Sequence, residues 1–196
     1  MRRYRRDEGA NWGDVQEGIE TLREGGVIVY PTDTLYGLGC SCEECMERVF
    51  EIKGRREKIS LVFPKVESAI DFLASKEAEF DRKPIKEFLP GPFTFVIWGY
   101  GIRVPECEIA LSLAKGGGPL TATSANHHNG KPPITAKQAC SELGERVDLY
   151  IDGGVTRYKG PSTVVEIKDG KVSILRNGVG DSWRSPKGRT IGELAR

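Results

Sequence analysis

The sequence lacks any apolar stretch that approaches the roughly 20 residues needed to cross a bilayer. It also lacks the apolar segment that follows the basic end of a secretory signal, because residues 2–6 lead into polar sequence. We therefore expect a cytoplasmic protein that does not enter a membrane. The 5 cysteines are an odd number, and without a secretory signal they argue against a disulfide framework.

A large excess of one charge sign is also missing, since the formal net charge is only +1. The charge of the whole chain therefore gives no argument for binding to nucleic acid. Basic residues cluster locally, within segments 2–6 and 184–189. We expect both clusters to lie in solvated tails, with a contact to RNA phosphates as the alternative.

Three familiar catalytic signatures are absent. No G-x-x-x-x-G-K-[ST] is present, which excludes a P-loop enzyme. No G-x-S-x-G is present, so Ser124 is a poor candidate for a hydrolase nucleophile, and no G-x-G-x-x-G opens a helix after a strand. The only histidines of the sequence, His127 and His128, are neighbours whose side chains point apart, so we expect loop residues and not a catalytic pair.

Candidate metal ligands are few. Cys40, Cys42 and Cys45 form C-x-C-x-x-C, a spacing seen in zinc sites, but no second C-x-x-C completes a tetrahedral set. We predict small buried thiols and no metal site. Under the zinc alternative, the fourth ligand would be Cys107, Cys140, His127 or His128.

Helical and extended patterns alternate along most of the chain. Of its 196 residues 38% are hydrophobic, enough for one sizeable core. Apolar spacing predicts helices such as 15–22 and 45–52, and buried strands such as 27–30 and 120–124. A closing hairpin over 163–175, with Asp-Gly at its tip, breaks a pure βαβ rhythm. We therefore predict an α/β fold with an open mixed sheet.

The same patterns predict local boundaries. Ser41 with Glu44, and Thr135 with Gln138, have the spacing of capping boxes at helix starts. The sequence from Asp181 onward is polar, and we expect it to be loosely held. The predicted division is a basic tail at 1–13, one domain at 14–180 and a polar tail at 181–196.

Four loop segments carry the side chains best suited to chemistry. Residues 30–39 place hydroxyls and a carboxylate after a strand, and residues 121–126 do the same with hydroxyls and an amide. Residues 53–58 end a helix with cations that could hold a polyphosphate. Ser162 and Arg176 open and close the hairpin, so they would lie side by side. Turn hydrogen bonds, helix-dipole complementation and exposed loop residues are the plainer explanations.

Taken in order, these segments resemble the YrdC/YciO-like family of threonylcarbamoyl-AMP synthases in its single-domain form. The resemblance covers about residues 14–180. It rests on P-T-D-T-L-Y-G-L-G at 31–39, K-G-R at 53–55, P-G-P-F-T at 90–94, R-V-P at 103–105, T-S-A-N at 123–126, S-T-V-V at 162–165 and I-L-R-N-G at 174–178.

The resemblance implies a twisted open sheet with helices packed on it and a large basic concave cavity. It implies a nucleotidyltransferase that converts L-threonine, bicarbonate and ATP to threonylcarbamoyl-AMP and pyrophosphate, with Mg²⁺ carried by ATP. The product would serve threonylcarbamoyladenosine modification of tRNA through a transfer complex. Binding of tRNA or double-stranded RNA is a further implication.

The resemblance also implies roles for individual residues, none of them a covalent nucleophile. Thr32, Arg103 and Ser162 would bind threonine, and Lys53 with Arg55 would act electrostatically on the phosphates. The ATP side would comprise Lys53, Arg55, Lys58, Ser124, Asn126 and Arg176.

One segment departs from the family pattern. After K-G-R the family usually continues with proline and often supplies a histidine, whereas the loop at 56–64 begins Arg-Glu-Lys and has no histidine. Lys58 could compensate for that loss. The alternative function is a YciO-like RNA- or nucleotide-binding protein without this main activity. A carbamoyl-transfer module of the hydrogenase-maturation type is less favoured, because its accessory segments are absent.

Overall fold

The computed structural model describes residues 12–76 and 79–195, apart from the side chain of Trp12. The basic cluster at residues 2–6 lies outside these ranges. The described helices are α1 (Val15–Arg23), α2 (Glu44–Lys53), α3 (Val66–Ser75), α4 (Lys83–Phe88), α5 (Glu108–Gly117), α6 (Ala136–Leu143) and α7 (Ile191–Leu194). The described strands are β1 (Trp12–Gly13), β2 (Ile28–Pro31), β3 (Tyr36–Gly39), β4 (Ser60–Val62), β5 (Phe93–Ile97), β6 (Tyr100–Arg103), β7 (Leu120–Ser124), β8 (Leu149–Ile151), β9 (Thr163–Lys168) and β10 (Lys171–Arg176).

These strands form one open sheet in the order β1-β8-β2-β3-β7-β4-β6-β5-β9-β10. Pairs β1–β8, β2–β8, β4–β6 and β5–β9 are parallel, and the other pairs are antiparallel. The predicted mixed α/β sheet is therefore confirmed. The predicted hairpin β9–β10 is also present, with Asp169 and Gly170 at φ 50° and 73°. Positive φ at both positions is the turn geometry that Asp-Gly favours.

Helices cover both faces of the half of the sheet that contains β2. On one face, Ile28 and Tyr30 pack in the same apolar cluster as residues of α1 and α5. On the other face, Val29 packs with residues of α2 and α6. This burial on both sides explains why β2 is a continuous apolar run.

The other half of the sheet is covered differently. Phe93 and Phe95 of β5 belong to an apolar cluster with α3, α4 and Ile191 of α7. Thr94 and Val96 alternate with them and face the opposite side, where they line a cavity. The period of two along β5 thus separates the core from the cavity floor.

The helix starts differ in part from the predicted ones. The predicted capping box of Ser41 and Glu44 is wrong, because α2 begins at Glu44 itself. The Ser41 hydroxyl instead donates to the carbonyl of Leu22 at 3.0 Å. Thr135 does cap α6, since its Oγ1 accepts from the amide of Gln138 at 3.2 Å. The reciprocal bond of a capping box, from the Thr135 amide to the Gln138 side chain, does not form. The Gln138 side chain instead accepts from the amide of Ile134.

The expectation of a loose segment after Asp181 is wrong. Ile191 is only 1% exposed and belongs to the apolar cluster of α3, α4 and β5. The ring of Trp183 lies 5.7 Å from that of Phe88, and Arg189 forms an ion pair with Glu87. A few large apolar residues hold this segment against α4, although most of its composition is polar.

The helices of the described ranges are all too short or too polar to cross a bilayer.

Candidate functional site

A cavity of 350 Å³ lies over the side of β4, β5, β6, β7 and β9 that faces away from α3 and α4. Its floor consists of small or polar side chains that alternate with core residues along these strands. Gly101 allows β6 to approach β4 closely, because a Cβ there would lie 2.6 Å from the Ser60 hydroxyl oxygen. The floor residues are Ser60, Thr94, Val96, Gly101, Ala122, Ser124 and Val164.

Cations dominate the charged residues in the cavity lining. Arg55 and Lys58 come from the loop after α2, Arg103 from the end of β6, and Arg176 from the end of β10. Among the described residues that line the cavity, Glu57 is the single carboxylate. The geometry therefore suits an anionic ligand.

Arg103 is anchored at the base of the cavity by its neighbours on the loop after β2. Its Nη2 donates to the Asp33 carboxylate at 3.1 Å and to the Thr34 hydroxyl at 2.8 Å. Burial raises the pKa of Asp33, and the charge of Arg103 opposes that shift. The side chain of Arg103 is only 10% exposed, and its buried Nε has no hydrogen-bond partner. The bonds to Asp33 and Thr34 fix the guanidinium where Arg103 lines the cavity.

The hairpin brings Ser162 and Arg176 together, as predicted. Arg176 Nη2 donates to the Ser162 carbonyl at 2.8 Å and to its hydroxyl at 3.2 Å. The Ser162 hydroxyl also shares a hydrogen bond of 2.8 Å with Thr94. Partial burial, followed by the charge of Arg103, lowers the pKa of Arg176. Two guanidinium groups therefore act on the same region of the cavity.

Thr32 lines the cavity, but its hydroxyl also holds a turn. Its Oγ1 donates to the Leu35 carbonyl at 2.6 Å and accepts from the amides of Thr34 and Leu35, both at 3.2 Å. The turn interpretation of this segment is therefore confirmed. Contact of Thr32 with threonine stays a prediction.

Lys53 lies behind the cavity wall and not in its lining. It is 2% exposed, and its Nζ donates to the carbonyls of Ser124 at 2.7 Å and Asn126 at 2.9 Å. Burial lowers the pKa of Lys53, and the nearby Glu57 opposes that shift. These contacts hold Ser124 and Asn126 against the end of α2. Contact of Lys53 with a phosphate stays a prediction.

Ser124, the last residue of β7, and Asn126, on the loop that follows, differ in position. Ser124 lines the cavity, and its contact with a nucleotide stays a prediction. Asn126 does not, because its Nδ2 donates to the carbonyls of His127 at 2.7 Å and Gly130 at 2.9 Å. Asn126 therefore shapes the loop, and the buried Oδ1 of its amide has no partner.

Glu57 is the cavity residue that sequence reasoning missed. Its carboxylate forms an ion pair with Arg55 and accepts a hydrogen bond from the Thr123 hydroxyl. The signal in the sequence was the departure at residues 56–58, where an acidic residue stands between two cations.

Comparison with known families identifies the chain. A model of the Sua5/YciO/YrdC family, described as "Telomere recombination", matches residues 20–178. The chain belongs to the Sua5/YciO/YrdC family. The resemblance seen in the motifs is therefore confirmed.

Members of the Sua5/YciO/YrdC family similar to this chain differ in length. The threonylcarbamoyl-AMP synthase of Pyrococcus abyssi is 34% identical over 176 residues, which cover 80% of this chain and 52% of that protein. This chain thus spans about half the length of that synthase. The structure of P. abyssi Sua5 complexed with L-threonine has a TM-score of 0.68 at 28% identity, covering 84% of this chain and 54% of that one.

Escherichia coli YciO is similar in size to this chain. It is 30% identical over 191 residues, which cover 85% of this chain and 90% of YciO. Its crystal structure has a TM-score of 0.73 at 28% identity, covering 90% of this chain and 98% of that one. The relatives named as synthases support an enzyme, and the fold is shared by both groups.

The cysteines of this family member lie away from the cavity lining. Cys42 and Cys45 pair with each other at the start of α2, with Cα atoms 5.6 Å apart, which the prediction of free buried thiols did not foresee. Cys40 is a buried free thiol, as predicted.

No group of three or more His, Cys, Asp or Glu side chains in the described ranges could hold a metal ion. His127 is a loop residue whose Nδ1 lies 2.9 Å from the Ile52 carbonyl.

Proposed function

We propose that this protein is a cytoplasmic threonylcarbamoyl-AMP synthase, which uses L-threonine, bicarbonate and ATP. The observation that carries the proposal is the cavity with four cations from separate elements and small polar groups between them. Relatives named as threonylcarbamoyl-AMP synthases, and the threonine complex of P. abyssi Sua5, support this choice of substrates.

The proposed reaction places negative charge in the cavity at every stage. Bicarbonate takes up a proton and loses water to give carbon dioxide. The threonine nitrogen then forms a bond to the carbon of carbon dioxide and releases a proton, giving a carbamate. A carbamate oxygen then forms a bond to the α-phosphorus of ATP, and the bond from that phosphorus to the pyrophosphate oxygen breaks. Fixed positive charge lowers the barrier to such a step without covalent participation by the protein.

The residues divide the two substrates between them. The guanidinium of Arg103, which lines the cavity, would bind the threonine carboxylate, and the Ser162 and Thr32 hydroxyls would lie beside it. Arg55, Lys58 and Arg176 would bind the triphosphate. Magnesium would enter as the MgATP complex, because the cavity lining offers one carboxylate and not a cage of oxygen ligands.

The product would pass to a complex that modifies tRNA with threonylcarbamoyladenosine. A second candidate is a YciO-like protein that binds a nucleotide or double-stranded RNA in the same cavity. The similarity to E. coli YciO, 30% identical over 90% of its length, supports this second candidate. Threonine dependence separates the two, because a binding protein has no reaction to couple to an amino acid.

The test is pyrophosphate release from ATP with Mg²⁺, bicarbonate and L-threonine, with serine and no-amino-acid controls. Release that requires both threonine and bicarbonate is the expected result. Arg55→Ala should lower kcat/KM about 10- to 100-fold, because a charged hydrogen-bond donor to the phosphates is lost. The exposed Arg82→Ala, outside the cavity, is the matched control.

A second variant tests the threonine side. Arg103→Lys keeps a cation beside the buried Asp33 but removes the planar fork of donors that suits a carboxylate. We expect the KM for threonine to rise about tenfold while the KM for ATP stays unchanged. Equal changes in both constants would contradict the assignment of Arg103. Folded protein without threonine-dependent release would refute the synthase itself.

A further inference from the structure

A carboxylate lies among the cations of the cavity, and the proposed reaction gives it no role. Glu57 is on the loop after α2, and its side chain is 18% exposed. One of its oxygens pairs with Arg55, and the other accepts from the Thr123 hydroxyl and lies 3.8 Å from the Lys53 ammonium. Both oxygens are therefore held by groups that also bind phosphate oxygens in proteins.

A phosphate group and this carboxylate would compete for the same donors. Both are anions that accept hydrogen bonds, and Arg55 presents the planar fork that suits either. A phosphate that approached Arg55 would meet the charge of Glu57 only a few ångströms away, which weakens its binding. The Glu57 carboxylate thus occupies the position beside Arg55 that the proposed function assigns to a phosphate of the ligand.

We propose that Glu57 is an internal competitor for the phosphate site of the cavity. It pairs with Arg55 and Thr123 in the arrangement seen here, is displaced by the triphosphate of ATP, and pairs with them again as pyrophosphate departs. The identity of the ligand as a phosphate compound rests on the proposed function. The consequence is weaker retention of pyrophosphate, which would otherwise be held by Arg55, Lys58 and Arg176.

The contacts of Glu57 favour competition over metal binding. A carboxylate that serves as a magnesium ligand directs an oxygen lone pair toward the ion. Here one oxygen faces a guanidinium and the other a hydroxyl donor with an ammonium nearby. These positive groups would repel a divalent cation, which disfavours binding of Mg²⁺ by Glu57. The experiment separates this alternative from competition with phosphate.

The experiment measures binding of inorganic pyrophosphate by titration calorimetry, with and without Mg²⁺. Glu57→Gln should tighten binding about tenfold or more in both conditions, because one nearby negative charge is removed. Glu47→Gln is the matched control, since Glu47 is 57% exposed and pairs at 2.5 Å with Arg56 outside the cavity lining. It changes the net charge equally and should leave binding within about twofold of wild type.

Each other outcome overturns the proposal. Unchanged or weaker binding by Glu57→Gln would do so, and weakening only with Mg²⁺ would make Glu57 a metal ligand. Glu57→Ala must act in the same direction as Glu57→Gln. Glu57 lies outside the helices and strands, so neither change removes a main-chain hydrogen bond of a regular element.

Two further readouts complete the test. In the wild-type protein, pyrophosphate must shift the methyl resonance of Thr123 as its hydroxyl changes partner, and an unmoved resonance would count against the exchange. Calorimetry needs no turnover, so its result is separate from the proposed function. Tighter binding by Glu57→Gln without threonine-dependent pyrophosphate release would sustain the competitor and reject the synthase.

Discussion

Replacing Lys53 by methionine tests whether its ammonium supports the cavity wall or binds phosphate. Lys53 is 2% exposed, and it donates to the carbonyl of Ser124 at the end of β7 and to that of Asn126 on the following loop. Methionine has a similar length and fills similar space, but it donates no hydrogen bond. The substitution leaves both carbonyls without this partner, so we expect the folded state to lose stability.

The magnitude follows from the number and kind of the lost bonds. A hydrogen bond to a charged group contributes about 1.5–3 kcal/mol, which gives about 3–6 kcal/mol for two. Burial lowers the pKa of Lys53, which shows that keeping the ammonium charged has a desolvation cost. Methionine removes that cost, so we expect the free energy of unfolding to fall by about 2–4 kcal/mol.

Urea denaturation followed by circular dichroism measures this change, alongside nucleotide binding. Lys58→Met is the matched control, because Lys58 is exposed and lines the cavity. It should weaken ATP binding while unfolding stays within about 0.5 kcal/mol of wild type. A Lys53→Met protein as stable as wild type, yet unable to bind nucleotide, would refute the reasoning and make Lys53 a phosphate ligand.

Two predictions concern stability alone. Gly39→Ala should lower the thermal midpoint, because its Cβ would overlap the Thr121 carbonyl on β7, and an unchanged midpoint would show that the strands can separate. Glu87→Gln should lower the midpoint at neutral pH, since the ion pair with Arg189 holds the pKa of Glu87 below its ordinary 4.5. That stabilisation is present above 4.5 and is lost as pH falls through the depressed pKa, so wild type and variant should converge in acid. A difference that persists there would contradict the ion-pair explanation.

Local patterns were enough for much of the fold. The hairpin could be predicted because Asp169-Gly170 favours one turn, which forces β9 and β10 to lie side by side and Ser162 to meet Arg176. The core face of β5 could be predicted from the alternation of Phe93, Thr94 and Phe95. The motifs also sufficed for the family, because their order extends along most of the chain.

Other features depend on contacts between distant parts of the chain. The K-G-R motif shows which cations stand after α2, but not that Lys53 turns inward to the loop after β7 while Arg55 turns to the cavity. The polar composition after Asp181 hides the few apolar residues that join the core, such as Trp183 against Phe88 of α4. Ser41 does not cap α2, because its hydroxyl donates to the carbonyl of Leu22, a residue 19 positions earlier in the sequence.

The sequence by itself therefore determined the mixed α/β class, the hairpin and the family, since each follows from interactions within a few residues or from motif order. Only the tertiary structure decided which charges meet. It pairs Arg103 with Asp33 across 70 residues and places Glu57 against Thr123 across 66. The interaction energy of a charged side chain depends on the groups close to it in space. Those groups come together only when the sheet forms and brings its strand ends together.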